Sequence, residues 1–319
     1  MVQNFAINAV VNYIMTKILI SIVGPTAIGK TALSIKLAQH FGTDIISADS
    51  RQFYKEMHIG TAAPTPSELA SAKHHFIHHK SVEDNYSVGD FEKEAIKMLD
   101  TLFETRDTVI MVGGSGLYVD AVIKGLDAFP KVDSSIRTSL NKKLRSEGIE
   151  ALQDQLKFLD PKSYKTIAIA NPHRLIRALE ICIGTKQPYS SFLSSTHKER
   201  AFKTITIGLT AEREVIYDRI NKRVDFMLTE GLLNEVKALS SKQHLNALNT
   251  VGYKELFKFL NDEWSLDFAV SEIKKNTRRF AKRQLTWFKR NTNTLWFDYK
   301  TDAKLIIEAI TDYKKGFLT

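Results

Sequence analysis

Short runs of consecutive apolar residues, many of them β-branched, alternate in this chain with longer stretches whose apolar positions recur every three to four residues. KILISIVG (17–24) is the first such run, and it leads through a glycine-rich turn into TALSIKLAQHF (31–41), which has helical periodicity. TDIISADS (43–50) gives a second run, DTVIMVGGSG (107–116) a third ending in glycines, and TITIGLT (204–210) a further one well downstream. Apolar runs without polar alternation belong to strands covered on both faces. The expected fold class is therefore α/β: a parallel sheet flanked by helices on both faces, of P-loop type if the glycine-rich turn GPTAIGKT (24–31) after the first run holds phosphate.

Between the third run and the fourth the pattern changes. Residues 125–200 carry helical periodicity in SIRTSLNKKLRSEGIEALQDQLKFL (135–159) and NPHRLIRALEICI (171–183), with no convincing strand. This predicts an all-helical insertion domain over 125–200, set into a core of 15–124 and 201–319. The C-terminal third of that core reads as mostly helical, with amphipathic segments at 212–240 and 268–290. Residues 1–14 precede Met15, which begins the natural strand start MTKILISIVG; they are expected to be an N-terminal extension without chemistry.

Composition adds three constraints. The single cysteine, Cys182, excludes an intramolecular disulfide and a Cys-rich zinc site, which suits a reducing cytoplasm. Within LEICIG it reads as a small buried hydrophobe. No apolar run reaches the ~18 residues of a membrane span, and the N-terminus lacks the marks of a secretory signal. The net charge of +9 favours an acidic polymer as partner, and eight Lys or Arg with no acid between Ile273 and Phe297 concentrate that charge.

GPTAIGKT (24–31) matches the phosphate-loop pattern in full, after a strand and before a helix. Its residues Gly24, Pro25, Thr26, Ala27, Ile28, Gly29, Lys30 and Thr31 are the expected diphosphate-binding site. Glycines let successive N–H groups turn toward phosphate oxygens, and the helix N-terminus adds its positive end. Lys30 is expected on the outer phosphate and Thr31 on Mg²⁺, the expected cofactor. A nucleotide hydrolase would usually show a second apolar strand ending in an acid, yet IMVGGSG ends in glycines. The carboxylate on offer is Asp49, at the tip of IISADS, and an Asp before Ser is equally at home as a turn residue.

GPTAIGKT, ADSRQFYKEMHIGTAAPT, HHF, GGSGLY, NPHRLIRALEI, NTVGYKEL and NTRRFAKRQLTWFKR occur in the order found in bacterial tRNA dimethylallyltransferases, also called tRNA isopentenyltransferases of the MiaA type. The sequence resembles that family from about residue 17 to 298. The resemblance implies that the N6 amine of adenine-37, beside the anticodon of tRNA, attacks C1 of dimethylallyl diphosphate and displaces diphosphate. The phosphate loop would then cradle a leaving diphosphate, and no ATP would be cut, although the motif by itself reads as ATP-binding. Asp49 matches the family's general base. Arg223, in NKRVDFML, matches its pyrophosphate-side arginine and joins Asp49, Lys30 and Thr31 in the expected catalytic set.

The same resemblance assigns tRNA contacts. Asp49, Ser50, Arg51 and Gln52 match the base-contacting segment, with Ser50 and Gln52 expected to read the adenine edge of a base extruded from its loop. Ser115 stands where the family usually has Thr, and keeps the hydroxyl. Arg137 matches a second tRNA-touching position. Three further segments match: His173, Arg174, Leu175, Ile176 and Arg177 in the insertion, then Asn249, Thr250, Val251, Gly252, Tyr253 and Lys254, and finally Asn276, Thr277, Arg278, Arg279, Phe280, Ala281, Lys282 and Arg283. The last has Arg278/Lys282 and Arg279/Arg283 at i,i+4, a basic face suited to a phosphate backbone. In the insertion, Leu175, Ile176 and Leu179 fit equally well as inward packing of an ordinary helix.

The expected partners are the tRNA anticodon stem-loop and dimethylallyl diphosphate, with no membrane, for a cytoplasmic monomer. The rival readings are an adenylate isopentenyltransferase acting on AMP, ADP or ATP, a P-loop small-molecule kinase, and a non-catalytic RNA-binding module. The insertion and the basic segment weigh against the first, since a small nucleotide needs neither. HHFIHH (74–79) has metal-like spacing but no accompanying carboxylate or cysteine set, so no zinc site is assigned. The C-terminal zinc finger of the family's eukaryotic members is ruled out by the single cysteine.

Overall fold

Among the described residues six strands, all parallel, form one sheet in the spatial order His74–His75, Ile45–Ser47, Thr108–Val112, Ile18–Val23, Lys203–Thr210 and Leu295–Asp298. The structure is a computed structural model and describes residues 17–193 and 198–317; the expected extension over 1–14 lies outside the described residues. In chain order the first elements are β1 (Ile18–Val23), α1 (Lys30–Phe41), β2 (Ile45–Ser47), α2 (Pro66–Ser71), β3 (His74–His75), α3 (Val88–Phe103), β4 (Thr108–Val112) and α4 (Gly116–Lys124). Next come α5 (Ser134–Leu159), α6 (Pro161–Thr166) and α7 (Pro172–Thr185). The chain then returns to the sheet with β5 (Lys203–Thr210), α8 (Arg213–Thr229), α9 (Leu232–Ala238), α10 (Tyr253–Leu260), α11 (Leu266–Phe288), β6 (Leu295–Asp298) and α12 (Ala303–Lys315).

The four strands expected from the apolar runs are present, and two more complete the sheet. β3 is two histidines at one edge, paired to β2 in register Ile45 with His74 and Ile46 with His75. β6 begins within the basic run 273–297, ends at Asp298 just beyond it, and pairs with β5. Neither has enough consecutive apolar residues to show as a strand; each is extended because a neighbouring strand supplies the hydrogen bonds.

β1 explains the two-sided core. Ile18, Ile20 and Ile22 enter a cluster with Leu33 and Leu37 of α1, Ile216 and Ile220 of α8, and Ile306 and Ile310 of α12. Leu19 and Val23 enter the opposite cluster with Phe91, Ala95 and Leu99 of α3 and Val119 of α4. Alternate side chains of one strand thus serve opposite faces. β1 lies between β4 and β5, at a point where the chain has crossed to both sides, and ligands of such sheets bind beyond strand C-termini at that point. A third cluster joins Val224 of α8, Leu232 and Val236 of α9, Tyr253 and Leu256 of α10, and Ala269 and Ile273 of α11.

The chain divides into two compact units, Met1–Lys124 with Arg200–Thr319, and Gly125–Glu199. Among its described residues, every secondary-structure element of the second is a helix. Leu140, Leu152 and Leu156 of α5 pack there with Leu175, Ile176, Leu179 and Cys182 of α7. Its buried Asp160 accepts from Ser163 N (3.0 Å), Ser163 Oγ (2.6 Å), Ser190 N (2.7 Å) and Ser190 Oγ (3.0 Å), so the carboxylate is fully satisfied.

Candidate active site

The turn after β1 is shaped by close approach and by backbone strain. A Cβ on Gly24 would lie 2.6 Å from the carbonyl oxygen of Leu209 on β5, so only glycine lets the chain leave the strand there. Ala27 adopts φ 64°, a left-handed conformation that a side-chain-bearing residue keeps only when held. The holding groups come from α8, where Arg219 and Arg223 stand one turn apart. Arg219 Nε donates to Ala27 O (2.7 Å), and Arg223 Nη1 donates to Thr26 Oγ1 (3.0 Å).

Lys30 folds back on the same loop, donating from Nζ to Gly24 O (3.0 Å) and Pro25 O (2.8 Å). This enclosure pushes its pKa down to about 8; the Asp49 carboxylate opposes the shift and the Arg223 cation adds to it. Arg223 is likewise held below the usual arginine range by burial, with Asp49 opposing and Arg219 adding. Lys30, Asp49 and Arg223 therefore lie within electrostatic reach of one another.

Asp49 follows β2. Its Oδ1 accepts the N–H of Arg51 (3.1 Å), an Asx turn that fixes the carboxylate at the strand tip. Ser50 donates its N–H to Ser115 Oγ (3.1 Å), and the two hydroxyls are also 3.1 Å apart. Arg51 Nη1 donates to the carbonyls of Asn246 (3.2 Å) and Ala247 (2.9 Å). Gln52, expected at the adenine edge, is engaged within the protein: Oε1 accepts from Ser47 Oγ (3.3 Å) and Nε2 donates to Thr61 O (3.3 Å) and Ala62 O (3.1 Å). Both ends of its amide are used, so it supports the 61–62 turn.

One cavity of about 570 Å³ gathers Thr26, Asp49, Ser50, Arg51, Ser115 and Arg223. Asn249, Thr250, Val251, Gly252 and Lys254 line it as well, as do Thr277, Phe280 and Arg283 of α11. Apolar side chains complete the wall: Leu117, Val224, Met227, Leu232, Val251 and Ile273. Cations, one carboxylate and a dry wall meet in a single space.

A protein-family model described as IPP transferase matches residues 52–291. The chain belongs to the IPP transferase family. It is 60% identical over 296 residues to a tRNA dimethylallyltransferase of Christiangramia forsetii, covering 93% of this chain and 98% of that one. To the tRNA dimethylallyltransferase of Flavobacterium johnsoniae it is 58% identical over 306 residues, covering 94% and 99%. The crystal structure of the full-length tRNA isopentenylpyrophosphate transferase from Bacillus halodurans matches with 39% identity and a TM-score of 0.70, over 95% of this chain and 97% of that one. The resemblance seen in the seven motifs is borne out.

Not every residue expected to touch RNA is placed to do so. Tyr253, Ala281, Leu175 and Ile176 are buried and pack within their clusters. Arg278 of α11 turns toward α8, donating to Asn221 Oδ1 (2.8 Å) and lying over the Tyr217 ring. Its neighbours Arg279, Lys282 and Arg283 are exposed, so the basic face is real but narrower than the sequence spacing implies. In the helical unit, His173 and Arg174 are exposed, while Arg137 and Arg177 both pair with the buried Glu180 at 2.7 and 3.0 Å. Among the described residues no cluster of three or more His, Cys, Asp or Glu is arranged to hold a metal, and His75 of the HHFIHH run pairs with Asp44 (2.8 Å).

Two residues that shape the site, Glu255 and Gln284, escape sequence reading, while Trp287 is legible there as an aromatic for base stacking or core packing. Glu255, buried, accepts from Gly252 N (2.8 Å) and Asn276 Nδ2 (2.9 Å), joining two of the motif segments. Gln284 and Trp287 line the cavity from α11. Their signal was the i,i+3 spacing in KRQLTWF together with the glycines of GGSG, whose missing Cβ atoms make room for them.

Proposed function

We propose that this protein transfers a dimethylallyl group from dimethylallyl diphosphate to N6 of adenine-37, next to the anticodon of tRNA, with release of diphosphate. The observation that carries the reading is that Asp49 and Arg223 line one cavity with Thr26 of the phosphate loop. The exocyclic amine of adenine is a weak nucleophile because its lone pair is delocalised. As the N6–C1 bond forms, the Asp49 carboxylate takes the amine proton. The C1–O bond breaks and its electron pair leaves on the diphosphate, where Lys30, Arg223 and the N–H groups of the loop meet the growing charge. Val224, Met227, Leu232 and Ile273 keep water from the allylic carbon.

The loop suits Mg²⁺. Thr31, the last residue of the loop and the second of α1, offers a hard hydroxyl oxygen. Mg²⁺ characteristically binds through few protein oxygens plus substrate phosphates and water. Bound there, it supplies positive charge to the diphosphate oxygens.

On the RNA side, Ser50 and Ser115 border the cavity, and Arg279, Lys282 and Arg283 offer cations to the backbone of the anticodon stem-loop. No helix among the described residues is long and apolar enough to cross a membrane. We place the protein in the cytoplasm, acting as a monomer.

The test offers labelled dimethylallyl diphosphate and Mg²⁺ to unmodified tRNA and, separately, to AMP, ADP and ATP, with Asp49→Ala alongside. Label in tRNA alone, lost in the variant, is the expected result. Label in free nucleotide would move the protein to the adenylate-modifying class, and no label anywhere would sink the transferase reading.

A further inference from the structure

Gln284 is buried, 5% exposed, and both ends of its amide are engaged. Oε1 accepts the N–H of Thr26 in the phosphate loop (2.9 Å), and Nε2 donates to Gly114 O (2.9 Å) in the turn after β4. The two partners fix the orientation of the amide, since a flip would set oxygen against oxygen and N–H against N–H. The space for it is made by absence: a Cβ on Gly114 would lie 2.3 Å from Nε2. Beyond Gly114 the chain continues to Ser115, whose hydroxyl meets Ser50, the neighbour of Asp49.

We infer that Gln284 is a positioning residue for the transfer, a two-ended clamp that ties the diphosphate loop to the segment bearing the general base. On one side it holds Thr26, whose hydroxyl receives Arg223. On the other it holds the turn that carries Ser115. The distance from the leaving diphosphate to Asp49 is thereby set by side-chain bonds and not by the sheet alone. The inference rests on the proposed function for its chemical meaning, whereas its first test does not need the transfer reaction.

That test is the affinity of the full chain for inorganic pyrophosphate with Mg²⁺, by calorimetry, for wild type, Gln284→Ala, Gly114→Ala and the double variant. Gly114→Ala displaces the clamp without removing it. Each single change is expected to weaken binding by ~10-fold, and the double change by no more than ~3-fold beyond the weaker single, because both break one connection. Losses that multiply to ~100-fold, or a single variant that binds like wild type, would overturn the clamp. Gln284→Glu keeps an acceptor for Thr26 and puts an oxygen against Gly114 O; it is expected to behave like Gln284→Ala, and wild-type affinity would overturn the two-ended role. A purely structural glutamine would lower the unfolding midpoint and leave the affinity of the folded protein intact. In the transfer assay kcat should fall in step while KM for tRNA holds. A wild type that modifies no tRNA would instead sink the functional proposal, with pyrophosphate affinity still deciding the clamp.

Discussion

The side-chain oxygen of Ser115 lies 3.1 Å from both the backbone nitrogen and the hydroxyl of Ser50. The turn after β4 thus holds the residue next to Asp49, and it does so through a hydroxyl that serine and threonine share. Ser115→Ala removes the acceptor of a backbone N–H and should lower kcat for tRNA by about 10-fold, whereas Ser115→Thr should stay near wild type. Steady-state kinetics of the two variants decide the matter. Equal losses in both would assign the effect to packing.

Asp49→Asn is the sharper probe of the base. Asparagine keeps an oxygen for the Arg51 N–H, so the turn survives while the basicity is lost. Single-turnover transfer should slow by ~10²–10⁴-fold, with pyrophosphate affinity and unfolding midpoint little changed. A variant that transfers at more than a tenth of the wild-type rate would remove Asp49 from the role of base.

Lys30 gives the reaction a basic limb. Its enclosure in the loop sets the folded pKa near 8, below the ordinary 10.5. The cation that meets the diphosphate is therefore present below about pH 8 and lost above it. The value of kcat/KM for dimethylallyl diphosphate should fall through that pH, because this parameter reports the free enzyme. The midpoint in kcat should lie higher, since bound diphosphate favours the charged lysine. Lys30→Arg should lose the limb, arginine remaining charged throughout. A wild-type profile flat to about pH 10 would remove Lys30 from charge stabilisation. The linkage has the matching sign: the depressed pKa costs folding stability below about pH 8, and that cost fades between there and 10.5.

What could be read from the sequence was what lies contiguous in it. The phosphate loop spans eight successive residues, and Asp49 stands at the tip of an apolar run, so both were legible without a structure. β3 was hidden because His74 and His75 carry no strand signal and extend only where β2 supplies bonds. Gln284 was hidden for another reason: its partners, Thr26 and Gly114, are 258 and 170 residues away. Motif reading also assigns every residue of a segment to its ligand, whereas helix periodicity divides them. In α10, Tyr253 faces the core while Lys254 lines the cavity.

Glu235 tests how the cavity's outer turn is held. One carboxylate oxygen accepts the N–H groups of His58 (2.9 Å) and Ile59 (2.8 Å), and the other accepts Gly60 N (2.9 Å) and the hydroxyl of Tyr253 (2.6 Å). Burial pushes the Tyr253 pKa well above its ordinary value and Glu235 adds to the shift, so this hydroxyl remains a donor at any working pH. Tyr253→Phe removes one of four donors and leaves a carboxylate with three backbone partners, which should cost about 1 kcal/mol. Glu235→Ala strands three backbone N–H groups at once and should cost about 3 kcal/mol or more. Urea unfolding of both variants, with the slope unchanged, measures the two costs. Because Gly60 lines the cavity, Glu235→Ala should also raise KM for tRNA while leaving pyrophosphate affinity in place. If Glu235→Ala proves no less stable than Tyr253→Phe, the turn is held by the packing of Ile59 and Tyr253, and the carboxylate is incidental to it.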